Sequence, residues 1–446
     1  MNSTEIGSIV LTLSVLIASV HVLGYVFEKF RQPRLIGEIV AGILFGPFVL
    51  SHLAPGIAQR LFGGGIPGPN KIDIVLGFMY WIGLFLLMFI SGSETRRLMA
   101  RENHRQTAWL LGVGTPLPFC LVLGLGAFLP LETITGTAGQ QTSALLVLAI
   151  AVAVTSIPVI SRIFYDLGIL HTRFASLILG SAVLEDIALW GVLAVATSIA
   201  ATATLAQETV VKDITAHVGA AFLYMGIGLT LAPWLLRKLH PQRLNLLVKA
   251  SPVGYVFFIL FLYAALAALM DVNLVFAAFL AGFGLVGGVG GHERKRFSEQ
   301  LDSIANVARA VFIPVYFFIV GYKLVLGKGF SLPMLATFLV ASSLISLICT
   351  GLAAHLAGFR KLDIVNLAVT TNARGGPGIV LASVAYDAGI INAPFYTTLV
   401  LSAVLTSQAA GVWLRYVLTR GWPLLSSHPD ETWDVTHPAR AIGQKA

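Results

Sequence analysis

Charged side chains are scarce in this 446-residue chain: they make up 11% of it, whereas hydrophobic residues make up 57%. Soluble globular domains usually carry about 25% charged residues, so the composition excludes an ordinary soluble protein. Nearly uncharged stretches of roughly 17 to 25 residues recur along the chain. Such stretches are long enough to cross a hydrocarbon core of about 30 Å. The sequence therefore predicts an all-α polytopic membrane protein.

Cysteine is nearly absent as well. The two cysteines, Cys120 and Cys349, both fall inside apolar stretches, which argues against a disulfide framework and against a metal site. No basic, aromatic-interleaved nucleic-acid module, no phosphate-binding loop and no nucleophile–base pair is recognisable. We expect no cofactor, no resident metal, no nucleic-acid partner and no enzymatic activity, and we attribute the net charge of +8 to membrane orientation and contact with anionic lipid.

The apolar stretches predict thirteen transmembrane helices within a membrane domain at residues 1–415, followed by a short cytoplasmic tail at 416–446. A cluster of Pro, His and Asp residues makes that tail unlike the rest of the chain. The predicted spans are 6–28, 34–53, 73–93, 107–129, 142–164, 174–201, 216–236, 252–271, 273–290, 303–322, 331–358, 363–387 and 394–414.

The distribution of basic residues predicts the orientation of these spans. Lys and Arg collect in cytoplasmic loops, and placing the N-terminus outside and the C-terminus inside leaves few of the 29 basic residues in outside loops. A bacterial inner membrane is favoured by the compact architecture. The residues left in outside loops are Arg60, Lys71, Lys212, Lys323 and Lys328.

Weak internal similarities recur in the same order in the two halves of the chain. EIVAGILFGP in the second span resembles LVFAAFLAGFG in the ninth, and LLMFISG in the third resembles YFFIVG in the tenth. The pattern predicts a first half at about 6–201, a linker helix at about 216–236 and a second half at about 252–414. Because a single linker helix separates the two halves, the second half is expected to have the opposite orientation in the membrane, as in many transporters.

The fifth and twelfth spans are each interrupted midway, at VAVTSIPVIS around Pro158 and at TTNARGGPGIV around Pro377. Proline removes a backbone donor and clashes with the preceding turn, and the freed carbonyl groups must find protein or water partners in a membrane. Each break alone could be a structural kink. Two breaks at matching positions predict crossed, broken helices whose ends form an ion site. The residues predicted to shape the breaks are Pro158, Asn372, Gly375, Gly376 and Pro377.

Two adjacent carboxylates, Glu185 and Asp186, lie in the middle of the otherwise apolar sixth span. A carboxylate at membrane depth costs at least about 2.5 to 3.5 kcal/mol on insertion scales, so it indicates function. Loss of water disfavours the charged carboxylate, whereas a nearby cation or helix N-terminus favours it. Where these effects nearly balance, a proton and a monovalent cation compete for one site. Arg374 is the candidate balancing charge; a purely structural Glu185–Arg374 pair is the alternative.

The segment TSIPVISRIFYDLGILHTRFASLILGSAVLEDIALWGVLAVA at 155–196 resembles the monovalent cation:proton antiporter superfamily, in particular the branch of plant cation/proton exchangers and bacterial potassium-efflux antiporters. PRLIGEIVAGILFGP, IPVYFFIVGYKL and NARGGPGIVLA resemble further motifs of that family, and the resemblance covers about residues 6–415. It implies the sodium/proton antiporter fold, a homodimer, and a core domain that moves against a dimerising domain.

By this resemblance, Asp186 corresponds to the family's essential carboxylate, Thr155 and Ser156 to its broken-helix ligands, and Arg374 to its basic residue in the second broken helix. Relatives usually carry Asn, Asp or Gln before the key Asp, whereas this chain carries Glu185. That group could bind a second proton or cation, or pair with Arg374 or Arg309. Arg309 could instead reach the cytoplasm or pair with an acid such as Asp302.

The leading hypothesis is a secondary transporter that exchanges protons for Na+ or K+ by alternating access, with Asp186 as the competing site. A channel-like potassium efflux protein is the second hypothesis, because the resembling families include gated efflux systems. A membrane receptor or scaffold without transport activity is the third.

Overall fold

The computed structural model describes residues 3–30, 32–62, 71–98, 104–170, 172–202, 219–239, 245–288, 293–327 and 329–426. The start of the predicted linker helix, at 216–218, and most of the predicted tail, at 427–446, lie outside these ranges. The described residues are mainly helical, and one isolated antiparallel bridge joins Thr135 to Ile391.

The helices alternate with short turns along the described chain, and each is numbered in chain order. Their bounds are α1 Ser3–Lys29, α2 Arg34–Phe45, α3 Leu50–Leu53, α4 Pro55–Phe62, α5 Lys71–Leu98, α6 His104–Gly114, α7 Pro116–Leu125, α8 Gln141–Ala153, α9 Ile157–Asp166, α10 Arg173–Thr202, α11 Gly219–Lys238, α12 Leu246–Ala250, α13 Pro252–Leu269, α14 Leu274–Gly288, α15 Glu293–Val307, α16 Ile313–Tyr322, α17 Leu332–Leu356, α18 Leu362–Thr371, α19 Gly375–Asp387 and α20 Ala393–Thr419.

Within the described residues, eleven helical segments are long and apolar enough to cross a membrane. The all-α membrane architecture is thus confirmed, whereas the predicted count of thirteen spans is not. The ninth predicted span corresponds to α14, which has 15 residues. The twelfth is divided into α18, with 10 residues, and α19, with 13. Each of these helices is short for a complete crossing of about 20 residues.

The chain divides into two compact units, and each unit draws on both halves of the sequence. Unit 1 comprises Met1–Glu94 and Ala220–Phe330, and unit 2 comprises Thr95–Gly219 and Ser331–Ala446. The predicted boundaries of the repeats and of the tail stay predictions.

In unit 1, α2 crosses α16 at two glycines. A Cβ atom on Gly42 would lie 1.9 Å from the Phe318 carbonyl oxygen, and one on Gly321 would lie 2.0 Å from the Ile39 carbonyl oxygen. Real Cβ atoms do not approach oxygen so closely, so any side chain at either glycine would push the helices apart. The crossing therefore depends on backbone-to-backbone contact, a known use of small residues in membrane helices.

A second crossing in unit 1, between α5 and α14, has the same form. A Cβ on Gly92 would lie 2.0 Å from the Phe279 carbonyl oxygen, and one on Gly282 would lie 1.9 Å from the Phe89 carbonyl oxygen. In both crossings each glycine meets the carbonyl three residues before the other glycine. The crossing of the second predicted span with the tenth therefore has the same geometry as the crossing of the ninth with the third. This equivalence supports the repeat read from the sequence, in which the second span corresponds to the ninth and the third to the tenth.

Arg309 pairs with an acidic side chain, as one of the two sequence alternatives predicted, and that acid is Glu94. The Arg309 Nη2 atom lies 2.8 Å from Glu94 Oε1. Both side chains are partly exposed, at 56% and 33%, so this ion pair contributes about 0 to 1 kcal/mol.

Candidate ion-binding site

The first broken helix is formed by α8 and α9 in unit 2. Helix α8 ends at Ala153, the backbone is extended at Val154 and Ser156, and α9 begins at Ile157 with Pro158 as its second residue. Proline has no N–H to continue the hydrogen-bond ladder of α8, which explains the break. The Ser156 hydroxyl accepts a hydrogen bond from the Val159 amide at 3.4 Å and caps the new helix.

The second broken helix is formed by α18 and α19, and its open backbone groups are satisfied by hydroxyls of α20. Helix α18 ends at Thr371 and α19 begins at Gly375. The Gly375 amide donates to Ser407 Oγ at 3.0 Å, and the Arg374 amide donates to Thr406 Oγ1 at 3.4 Å. Pro377, the third residue of α19, sits where its missing N–H costs no intrahelical bond.

The two breaks meet and are hydrogen-bonded to each other. The Ser156 amide donates to the Ala373 carbonyl at 2.7 Å, and Thr155 Oγ1 donates to the Thr371 carbonyl at 2.9 Å. All four residues are buried. The prediction of crossed, broken helices is therefore confirmed, and each break supplies partners that the other lacks.

The two carboxylates are both buried in α10, with exposed fractions of 4% for Glu185 and 1% for Asp186. Adjacent helix residues point about 100° apart, and the pair accordingly has different surroundings. The carboxyl of Glu185 lies beside the side chains of Thr155 and Thr115, so Glu185 is the member of the pair that contacts the first break.

The carboxyl of Asp186 has no hydrogen-bond partner on either oxygen within the described part of the chain, and Glu185 is the nearest charged neighbour identified. One helical turn further along, the buried indole Nε1 of Trp190 also has no hydrogen-bond partner among the residues that the structure describes. Buried polar groups in proteins are nearly always paired. The unpaired oxygens of Asp186 are therefore an exception to the usual pairing of buried polar groups.

Arg374 is buried, with an exposed fraction of 3%, but it contacts neither carboxylate. Its Nη1 donates to Ser342 Oγ at 2.8 Å, its Nη2 donates to Asn372 Oδ1 at 3.3 Å, and its guanidinium lies 5.4 Å from the centre of the Phe338 ring. The alternative of a structural Glu185–Arg374 pair is not what the structure contains. The charge-balancing role of Arg374 stays a prediction, and it would act without a direct ion pair.

A small cavity of about 10 Å³ adjoins the first break, and all of the residues that line it belong to unit 2. Hydroxyl groups and one carboxyl group dominate its lining. The polar residues that line it are Thr115, Thr155, Ser181, Glu185, Ser346, Thr350 and Thr371.

Sequence reasoning missed five of these hydroxyls: Thr115, Ser181, Ser346, Thr350 and Thr371. A signal was present for Thr115, because Gly114 and Pro116 flank it and the fourth predicted span breaks there into α6 and α7. Ser346 and Thr350 are four residues apart and therefore share one face of α17. Among the described residues, no group of three or more His, Cys, Asp and Glu side chains could hold a metal ion.

Comparison with known proteins gives consistent results. The profile of the family described as "Sodium/hydrogen exchanger, transmembrane" matches residues 15–420. The Na(+)/H(+)-K(+) antiporter GerN of Bacillus cereus is 25% identical over 408 residues, which cover 91% of this chain and 95% of that protein. The K(+)/H(+) antiporter 1 of Saccharomyces cerevisiae is 26% identical over 392 residues, which cover 85% of this chain.

The chain spans only 43% of the yeast protein and 47% of the Cation/H(+) antiporter 18 of Arabidopsis thaliana, to which it is 23% identical. In overall fold it is similar to the sodium proton antiporter MjNhaP1 from Methanocaldococcus jannaschii, with a TM-score of 0.59, 14% identity, and coverage of 93% of this chain and 98% of that one. The family profile covers nearly the whole membrane domain and the fold agrees with it. The chain therefore belongs to the sodium/hydrogen exchanger family, a family of membrane transporters and not of enzymes.

Proposed function

We propose that this protein is a secondary active transporter that exchanges protons for a monovalent cation, Na+ or K+, across the membrane. Family membership supports this activity, and the similar proteins from Bacillus cereus and Saccharomyces cerevisiae are named as antiporters of these ions. The choice between Na+ and K+ is left to measurement, because the names of the two relatives differ on this point.

The observation that carries the proposal is the state of Asp186. Its side chain is 1% exposed, and neither carboxyl oxygen has a partner within the described residues. A bare carboxylate in a low-dielectric interior is strongly unfavourable. It must hold a proton or a cation, and one cannot bind while the other occupies the same oxygen atoms. Mutual displacement of H+ and the cation at Asp186 is the chemical basis of coupled exchange.

Alternating access is the second part of the proposal. Glu185, Asp186, Thr155, Ser156 and Arg374 all belong to unit 2, which supports a mechanism in which unit 2 carries the ion as one body. The direct bonds between the two breaks, at 2.7 and 2.9 Å, favour joint motion of the two broken helices.

The test uses purified protein in liposomes with an imposed pH gradient, read by a pH-sensitive dye. Addition of NaCl or KCl outside should dissipate the gradient with the wild-type protein and should not with Asp186→Asn, which keeps the volume of the side chain but removes its charge. Asp166→Asn is the matched control, because Asp166 is 49% exposed and pairs with Arg162. Cation-dependent dissipation by Asp186→Asn at the wild-type rate would refute the assignment.

The alternative of a channel-like potassium efflux protein is not favoured, because the similar curated proteins are named as antiporters. A cation current in planar bilayers that flows without proton movement would reverse this preference.

We also propose a homodimer in a bacterial inner membrane, with the N-terminus outside and the C-terminus in the cytoplasm. The alternation of basic loops supports the orientation, and the family resemblance supports the dimer. Single cysteines placed in predicted loops, labelled with a membrane-impermeant maleimide in intact cells, test the orientation, and cross-linking in native membranes tests the dimer. Labelling of the predicted cytoplasmic loops from outside would show that the topology is the reverse of the proposed one.

A further inference from the structure

The chain turns back on itself after the last long helix, α20, and lies against α18. Gly421, with a φ angle of +68°, makes the turn. Its amide donates to the Leu418 carbonyl at 3.0 Å, and the Trp422 amide donates to the Val417 carbonyl at 3.1 Å. This pair of bonds is the Schellman arrangement, which ends a helix at a residue with left-handed backbone. Residues 421–426 are called the strap below.

The end of the strap is bound to the first turn of α18 through Asp363. The Ser426 amide donates to Asp363 Oδ1 at 2.8 Å, and the Ser426 hydroxyl donates to Asp363 Oδ2 at 2.6 Å. Asp363 is 3% exposed, and the strap residues Leu424 and Leu425 are 6% and 1% exposed. Hydrogen bonds to a carboxylate are stronger than those between neutral groups, so the strap is a packed part of unit 2.

A second contact, at Asn366, joins the strap to α18 and to α20. Asn366 is completely buried. Its Nδ2 donates to the Leu424 carbonyl at 3.1 Å, and its Oδ1 accepts from Trp413 Nε1 at 3.0 Å. The donor and acceptor sides of an amide are not interchangeable. These two bonds therefore fix the position of α18 relative to both neighbours.

Helix α18 leads directly from this contact to the second break. It has 10 residues, and Asn366 lies about 7.5 Å along its axis from Thr371 at a rise of 1.5 Å per residue. The Thr371 carbonyl accepts from Thr155 Oγ1, and the Ala373 carbonyl accepts from the Ser156 amide. A shift of so short a helix at its first turn would move both carbonyl groups at its other end.

We propose that Asp363, Asn366 and Ser426 are positioning residues for the ion site. They hold α18 in the register at which the two broken helices bond to each other, and they act through α18 without touching an ion. The inference rests on the proposed function, because this register matters for ion exchange only if the breaks serve the ion. It adds to that function a support at the end of the chain, on the side of α18 away from the break.

Substitutions at Ser426 test the support with little disturbance of the core, because Ser426 is exposed. Ser426→Asp places a second carboxylate against Asp363, whereas Ser426→Thr keeps the hydroxyl and the amide. Thr419→Asp is the matched control: Thr419 is also exposed, and its hydroxyl donates to the Tyr416 carbonyl within α20. It adds the same charge near the same end of the chain without facing Asp363.

Hydrogen–deuterium exchange of purified protein, read by mass spectrometry, tests the transmission without any transport. Amide exchange reports local opening. In Ser426→Asp it should accelerate about tenfold in peptides that cover α18 and in the peptide that contains the Ser156 amide. Ser426→Thr and Thr419→Asp should exchange as the wild type does.

Transport in liposomes tests the effect on the ion. Groups that support a metal ligand from behind tune ion affinity, so Ser426→Asp should raise the apparent KM for the transported cation by about threefold or more. A smaller folded fraction alone would lower the maximal rate and leave KM unchanged. Ser426→Thr and Thr419→Asp should both keep the wild-type KM.

Wild-type amide exchange at Ser156 in Ser426→Asp, or a wild-type KM in that variant, would overturn the positioning role. The proposed function would then still stand if Asp186→Asn loses cation-dependent dissipation of the pH gradient. Wild-type dissipation by Asp186→Asn would refute the proposed function, and the role of the strap in ion binding with it. Because amide exchange is measured without transport, the two failures are told apart.

Discussion

Gly375 occupies a position where the structure allows almost no side chain, and Gly375→Ala is therefore the most direct test of the contact between the two breaks. Its φ angle is +38°, and a Cβ atom there would lie 2.5 Å from both Ser156 Oγ and Val159 Cγ2. Ordinary van der Waals contact needs about 3.4 Å or more. An alanine must therefore move either α19 or the capping serine of α9.

The expected magnitude follows from two contributions. A residue with a Cβ at positive φ costs about 1 to 2 kcal/mol relative to glycine, and overpacking a buried contact costs about 1 to 3 kcal/mol. Together they lower the free energy of unfolding by about 2 to 5 kcal/mol. Because displacement of Ser156 also disturbs the bond from its amide to Ala373, we expect transport to fall more than tenfold even in the fraction of protein that folds.

Gly376→Ala provides the control within the same turn of α19. No atom outside the neighbouring backbone lies within 4 Å of a Cβ built on Gly376, and alanine has the higher helix propensity by about 1 kcal/mol. The melting temperature in detergent, followed by tryptophan fluorescence, should fall by several degrees for Gly375→Ala and should be unchanged or higher for Gly376→Ala. Equal melting temperatures for both variants would show that the close contact of Gly375 with Ser156 and Val159 does not limit the size of the side chain at this position.

Three further substitutions probe hydrogen bonds and close packing, two of them away from the breaks and one at the contact between them. Asp363→Ala removes the carboxylate that accepts hydrogen bonds from the Ser426 amide at 2.8 Å and from its hydroxyl at 2.6 Å. Loss of these charge-assisted bonds should lower the free energy of unfolding by about 1.5 to 3 kcal/mol. Proteolysis after residue 419, followed by mass spectrometry, should be faster than in the wild type. Gly282→Ala should lower the yield of folded protein in size-exclusion chromatography because its Cβ would meet a carbonyl at 1.9 Å, whereas Gly77→Ala, with nothing within 4 Å, should not. Thr155→Val removes the donor to the Thr371 carbonyl, which should cost about 1 to 3 kcal/mol in a denaturant titration; an unchanged midpoint would show that this bond contributes nothing.

The features that could be predicted from the sequence are those fixed by local chemistry. Pro158 and Pro377 each remove a backbone donor inside an apolar span, so the breaks followed from the residues themselves. Glu185 and Asp186 stood out because charge in such a span is costly. The similarity between the second and ninth predicted spans includes Gly42 and Gly282, and at both positions only glycine permits the close helix contact.

The features that could not be predicted depend on which helices are neighbours. Glu185 shares a cavity with Thr115, which lies 70 positions earlier, and with Ser346 and Thr350, which lie more than 150 positions later. Nothing in the local sequence of α10 encodes this arrangement. Arg374 illustrates the same limit. Its charge suggested a carboxylate partner, but Ser342 and Asn372 occupy its donors instead.

Around the two breaks, hydrogen-bond pairing separates the backbone of the broken helices from the two carboxylates of α10 more clearly than burial does. The polar atoms exposed by the two breaks are paired within the protein, as shown by Ser156 with Ala373 and by Gly375 with Ser407. Both carboxyl oxygens of Asp186 and one of Glu185 are also buried, but they have no partner within the described part of the chain. A scaffold gains nothing from an unpaired buried group, which costs about 1 to 3 kcal/mol and more when charged. A transport site gains its function from one, because a group already paired within the protein would have to break that bond before it could bind or release an ion.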